Sequence, residues 1–190
     1  FVIERVVGSV TVKYIEVQSS FAVGVDSADV YSGATPITTL DSLAHLVGQT
    51  VHIGGIPSGG SGYISFPPQV VPSSGSITVA TACTPLYAGL PYNSTGKTLS
   101  VEVPQNTTLQ TQNKRWIRIN VNLYQAGEGL SINGKTVVLR TQNDPWTDGI
   151  LFTGRKHVTN LGYSEEAPIT FVHSEPTPCT LRWIGGLLDV

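Results

Sequence analysis

Apolar and polar positions alternate with a period of two along most of this chain. Within 115–124, Ile117, Ile119, Val121 and Leu123 fall on one side, and Trp116, Arg118, Asn120, Asn122 and Tyr124 on the other. That pattern predicts a strand with one apolar and one polar face. Leu99, Val101 and Val103 alternate with Thr98, Ser100 and Glu102 to predict a second. Asn133-Gly134, between Ile132 and Val137, predicts a tight hairpin turn, because both central residues tolerate positive φ. Further short strands are expected at 10–17, 51–53, 63–66, 77–80, 150–152, 169–173 and 181–184. Many short strands separated by turn signals predict an all-β fold of the sandwich or barrel kind.

A single segment carries helical spacing. Leu40, Leu43, Ala44, Leu46 and Val47 follow an i, i+3, i+4 pattern, with Thr39 or Asp41 as N-cap and Gly48 as the stop. A helix this short must lie on a sheet to persist. From 54 to 75 the chain is rich in Gly, Pro and Ser, loosest at Gly59-Gly60-Ser61-Gly62. The expected organisation is a β-sandwich-like domain of 1–30 plus 82–190, with 31–81 as a small inserted β subdomain carrying the helix. There is no internal repeat.

Composition narrows the function classes. Charged residues make up 13% of the chain, about half of the usual ~25%. Disordered chains are charge-rich and poor in β-branched residues, so the low charge argues against disorder. A formal charge of -2 provides no basic footprint for tight nucleic-acid binding. No apolar run approaches the ~20 residues that a membrane-spanning helix needs. The chain contains no Met and opens on Phe1-Val2-Ile3-Glu4-Arg5, a strand-like start without the pattern of a signal peptide. It reads as the C-terminal fragment of a longer protein, or as a cleaved product. Cys83 and Cys179 stand far apart without a second pair and read as buried free thiols.

The search for chemistry assigns no catalytic residue, cofactor or metal ligand. His45, His52, His157 and His173 lack metal-ligand spacing, and there is no Cys-x-x-Cys. His52, between Val51 and Ile53, reads as the solvated face of a strand. Gly59-Gly60-Ser61-Gly62 runs into Tyr63 where a nucleophile elbow requires Gly. Asp144 and Asp148 flank Pro145-Trp146-Thr147 and could lend oxygens to calcium, which takes about six or more; a solvated loop is the simpler reading. Asn93-Ser94-Thr95 and Asn106-Thr107-Thr108 match the glycosylation sequon, which carries weight only in a secreted eukaryotic protein. Lys114, Arg115 and Arg118 form the densest basic cluster. Alternation sends Lys114 and Arg118 to one side and Arg115 to the other, so a neighbouring subunit or solvent fits them better than DNA. Trp116, Trp146 and Trp183 read as core or interface aromatics ahead of sugar-stacking platforms.

Several ordered motifs carry a resemblance. They are Tyr31-Ser32-Gly33-Ala34-Thr35-Pro36 and Leu43-Ala44-His45-Leu46-Val47-Gly48-Gln49-Thr50-Val51, then Tyr87-Ala88-Gly89-Leu90-Pro91-Tyr92. Lys114-Arg115-Trp116-Ile117-Arg118-Ile119-Asn120-Val121-Asn122-Leu123-Tyr124 follows, and Pro176-Thr177-Pro178-Cys179-Thr180-Leu181-Arg182-Trp183-Ile184-Gly185-Gly186 closes the series. In this order they resemble the C-terminal region of the tail tubular B, or nozzle, proteins of short-tailed bacteriophages. Trp116 departs from the family, whose run there is smaller and aliphatic. The resemblance implies a structural virion protein of the distal tail: a homo-oligomeric ring, contacting other tail proteins, through which DNA passes without specific binding. Contact with the host surface is also implied. A carbohydrate- or host-receptor-binding β-sandwich is the runner-up, and a β-sandwich hydrolase, for which no nucleophile is visible, comes third.

Overall fold

A computed structural model describes residues 2–7, 9–15, 24–60, 62–101, 113–140, 150–159 and 161–189, with backbone alone for 3, 5, 7, 14 and 15. The described chain is nearly all β, with antiparallel pairing throughout. It divides into two compact units. Unit 1 comprises Phe1–Tyr92, Trp146–Ile150 and Glu175–Pro178; unit 2 comprises Asn93–Pro145, Leu151–Ser174 and Cys179–Val190.

In unit 1, β1 (Val2–Val7) and β2 (Val10–Ile15) form a hairpin of their own. The main sheet is built around one long strand. β3 (Val25–Tyr31) and β4 (Ile37–Leu40) lie along one edge of β7 (Ile77–Pro91), and β5 (Thr50–Pro57) lies along the other, with β6 (Ile64–Val70) outside it. Leu40, Leu43, Leu46, Val51, Ile53, Ile77, Cys83 and Leu86 form the buried core on this sheet. Tyr87 is fully buried, and its ring occupies the space that a side chain at cross-strand Gly54 would need. Its hydroxyl donates to the Pro176 carbonyl at 2.5 Å. That bond satisfies the one polar atom of a side chain otherwise buried for its apolar area.

Unit 2 sets two sheets around one core. In the first, β10 (Leu130–Ile132) lies between β11 (Lys135–Thr136) and β14 (Thr170–His173), and β8 (Ser94–Lys97) pairs with β14. In the second, β9 (Lys114–Ala126) is central. β12 (Phe152–Thr159) and then β13 (Tyr163–Ser164) follow one edge, and β15 (Thr180–Asp189) follows the other. Ile119, Val121 and Leu123 project into a core shared with Leu130, Ile132, Val137, Val158 and Ile169. Asn133 and Gly134 have φ of 46° and 73° and close the β10–β11 hairpin as the sequence predicts. The Asn133 carboxamide also accepts from the Thr170 amide at 2.7 Å, which ties the turn to β14.

Four expectations need correction. The helical segment is only a 3-10 turn, Ala44–Leu46, and its N-cap position is Leu43, with no side-chain cap from Thr39 or Asp41. Leu43 and Leu46, three apart, bury themselves in one such turn, so nothing requires a longer helix. Residues 31–81 are not separate either: β3 and the far half of β7 complete the same sheet as β4, β5 and β6. Leu99 stands 89% exposed outside any strand, while Val103 lies outside the described residues. Finally, the period of two breaks in β9. Opposite β15, Leu187 pairs with Arg118 but Leu188 pairs with Trp116, so Ile117 is a bulge residue. Trp116 is therefore buried and Ile117 is 44% exposed, the reverse of simple alternation.

Candidate functional site: an open sheet face

The bulge re-sorts the basic cluster. Lys114 falls on the same inward side as Trp116, is 1% exposed, and donates from Nζ to the Glu165 carbonyl at 2.7 Å. Trp116 donates from Nε1 to the Ala167 carbonyl at 2.9 Å. Arg115 pairs with Asp189 at 2.9 Å and lies 4.9 Å from the Tyr163 ring centroid. Only Arg118 of the three faces outward without a partner among the described residues. Lys114 and Arg118, which alternation places together, thus lie on opposite sides of the sheet.

Arg118 belongs to a larger surface. Residues opposite one another in an antiparallel ladder share a face. The register places Arg155, Asn122 and Trp183 in one row, and His157, Asn120 and Gly185 in the next. Thr159, Arg118 and Leu187 form a third row. Arg155, His157, Thr159, Arg118, Trp183 and Leu187 are exposed, and Asn120 and Asn122 half-buried. At the β15 bulge Arg182 lies 4.1 Å from the ring centroid of Tyr124, which continues this face.

Two glycines shape the surface. The Trp183 indole lies over Gly185: a Cβ there would stand 2.9 Å from the ring. Trp183 is 52% exposed. A Cβ at Gly186 would collide with the Arg118 carbonyl, so this glycine allows β15 to approach β9 closely. The Trp183-Ile184-Gly185-Gly186 run is thus explained by one ring and one backbone contact.

Charge is distributed unevenly at both scales. By sequence, unit 1 holds two Lys/Arg against seven Asp/Glu, and unit 2 nine against six, giving -5 and +3 within the formal -2. No Lys or Arg occurs between Lys13 and Lys97. The open face carries Arg118, Arg155 and Arg182, and farther along it Arg115 and the one carboxylate, Asp189, pair with each other at 2.9 Å. The net charge therefore hides a local basic surface.

The remaining candidates scatter. His45 Nε2 lies 3.0 Å from the Ser27 carbonyl, and His173 Nε2 lies 3.0 Å from the Glu128 carbonyl. His52 is half-buried on β5, and only His157 is on the open face. Among the described residues, no group of three or more His, Cys, Asp or Glu is arranged to hold a metal ion. Cys83 is buried and Cys179 half-buried, both as free thiols, and burial raises the pKa of each. Gly59 and Gly60 lie in the β5–β6 connection, and Asn93 leads into β8. Asp144, Trp146, Asp148 and Asn106 fall outside the described residues, as does Ser61. Among the described residues no helix is long and apolar enough to cross a membrane.

No protein-family model matches this chain, and no curated protein is significantly similar to it. The open face includes Arg155, which the sequence leaves without a role, and brings to it His157, weighed only as a metal ligand, and Arg182, quoted only within a motif. The Arg155-x-His157-x-Thr159 alternation was the available signal, since it repeats the polar period of Arg118-x-Asn120-x-Asn122.

Proposed function

We propose that this chain is a structural component of a short-tailed phage tail, part of a nozzle whose subunits close into a ring around the ejected DNA. The ordered motifs from Tyr31 to Gly186, which resemble the tail tubular B family, carry this reading. The division of charge supports it. A ring closes by heterologous contacts, in which one patch meets a different patch on the next subunit. A unit of -5 and a unit of +3 in one chain offer complementary partners for such head-to-tail contact.

The requirements of a DNA conduit point the same way. Each phosphate neutralised by a cation adds affinity and slows passage, so a channel lining should be poor in Lys and Arg. The stretch between Lys13 and Lys97 has none. On this reading the chain performs no catalytic step and uses no cofactor; its work is assembly and passage, in the virion. Antibodies against the chain, applied to intact particles and imaged by electron microscopy, should label the distal end of the tail. Label on the capsid, or on none of the virions of a phage encoding the chain, would remove the basis for the proposal.

A further inference from the structure

We propose that the open face of the β12–β9–β15 sheet binds an acidic saccharide, a carboxylate-bearing sugar seated on Trp183. This goes beyond the ring reading and does not depend on it.

The Trp183 indole packs against Gly185 while the residue stays 52% exposed, so the ring offers apolar surface to the C–H side of a pyranose. Neighbouring strands are ~4.8 Å apart and same-face residues along a strand ~6.8 Å apart. That spacing places Asn122 beside Trp183 in its own row and Asn120 in the next, at the scale of one sugar ring. Each carboxamide supplies donors and an acceptor, as hydroxyl recognition requires. Among the described residues nothing engages the side chains of Asn120, Asn122, Arg118 or Arg155.

Charge selects the class of sugar. Arg155 stands in the Trp183 row and Arg118 two rows away, and the one carboxylate farther along the face, Asp189, is paired with Arg115 rather than with either. A guanidinium binds a carboxylate through paired N–H donors, so an acidic sugar complements this face better than a neutral one. A nucleic-acid strand fits less well. Strand-binding grooves stack successive bases on several rings, whereas here the second ring, Tyr124, is already covered by Arg182 at 4.1 Å.

The test is titration of the 190-residue chain, followed by tryptophan fluorescence, with three probes: oligogalacturonate, a neutral malto-oligosaccharide of equal length, and a single-stranded oligonucleotide of equal charge. Oligogalacturonate should bind at least about tenfold more tightly than either other probe, a difference of ~1.4 kcal/mol. Trp183→Ala and the pair Arg118→Gln/Arg155→Gln should each weaken it about tenfold or more. Leu99→Ala, which truncates an exposed side chain of the same unit outside any strand, should leave it unchanged. Circular dichroism of each variant establishes that it folds. Tighter binding of the oligonucleotide would assign the face to nucleic acid. Self-association of the chain that the arginine pair abolishes would assign it to a second copy. Failure of oligogalacturonate to bind at millimolar concentration, or binding indifferent to Trp183→Ala, would also overturn the proposal.

Discussion

The two units achieve a β fold with opposite surface chemistry. Unit 1 wraps Gly-, Ser- and Thr-rich strands around one long strand and carries just two Lys/Arg. Unit 2 encloses an aliphatic core between two sheets and holds the other nine. Neither property follows from the all-β class itself. Cores constrain only inward positions, so outward ones are free to be set by partners. In unit 1 those positions became neutral or acidic, and in unit 2 a whole sheet face became basic and aromatic. A formal charge of -2 describes neither unit.

Core substitutions test most strongly whether each unit has its own interior. Ile119→Ala in unit 2 and Leu46→Ala in unit 1 should each cost ~2–5 kcal/mol in urea unfolding, the range for deleting a buried aliphatic side chain. Asn120→Ala, on the opposite side of β9, should stay within ~0.5 kcal/mol. Equal losses at Ile119 and Asn120 would mean that the outer face is part of a core and would end the contrast.

A smaller effect separates the polar anchors of the two units. Tyr87→Phe removes the donor to the Pro176 carbonyl inside unit 1 and should cost ~1–3 kcal/mol, because the acceptor is left without its partner. Arg115→Gln in unit 2 breaks a half-exposed pair with Asp189 and should cost ~1 kcal/mol or less. The reverse order would show that surface charge, not buried bonding, anchors the chain.

Alkaline pH should act mildly, through Cys83 and Tyr87 in unit 1 and through Cys179 in unit 2. Burial raises the Cys83 thiol above its ordinary 9.0 and the Tyr87 phenol above 10.0. Each keeps its proton in the folded chain at a pH where the unfolded chain has lost it. The stability that they contribute is thus full below pH 9.0 and declines as pH climbs past 9.0 and 10.0. Denaturant midpoints that rise across that window would contradict the assignment of both groups to a dry interior.

How much of this was legible in the sequence depended on whether the signal was local. The Asn133-Gly134 turn was legible because positive φ is a property of two adjacent residues. The apolar side of β9 was legible from Ile119 to Leu123, where alternation is unbroken. Its phase before Ile117 was not, because a bulge is set by the register against β15, far away in sequence. β8 carries no large apolar residue; β14 makes it a strand by pairing with it. The unit boundary was missed because the strand expected at 77–80 continues to Pro91 and pairs there with β3, a contact far apart in sequence. The open face was half legible. Arg118, Asn120 and Asn122 were identified as a polar side, but only cross-strand register sets Arg155 and Trp183 beside them.

Assembly is the central claim, and one measurement addresses it directly. The protein should be imaged by negative-stain electron microscopy at micromolar concentration, at low and then high salt. Closed homo-oligomeric rings of uniform size are expected, and charge-driven contacts should loosen as salt screens them. Scattered monomers at both salt concentrations would contradict the account.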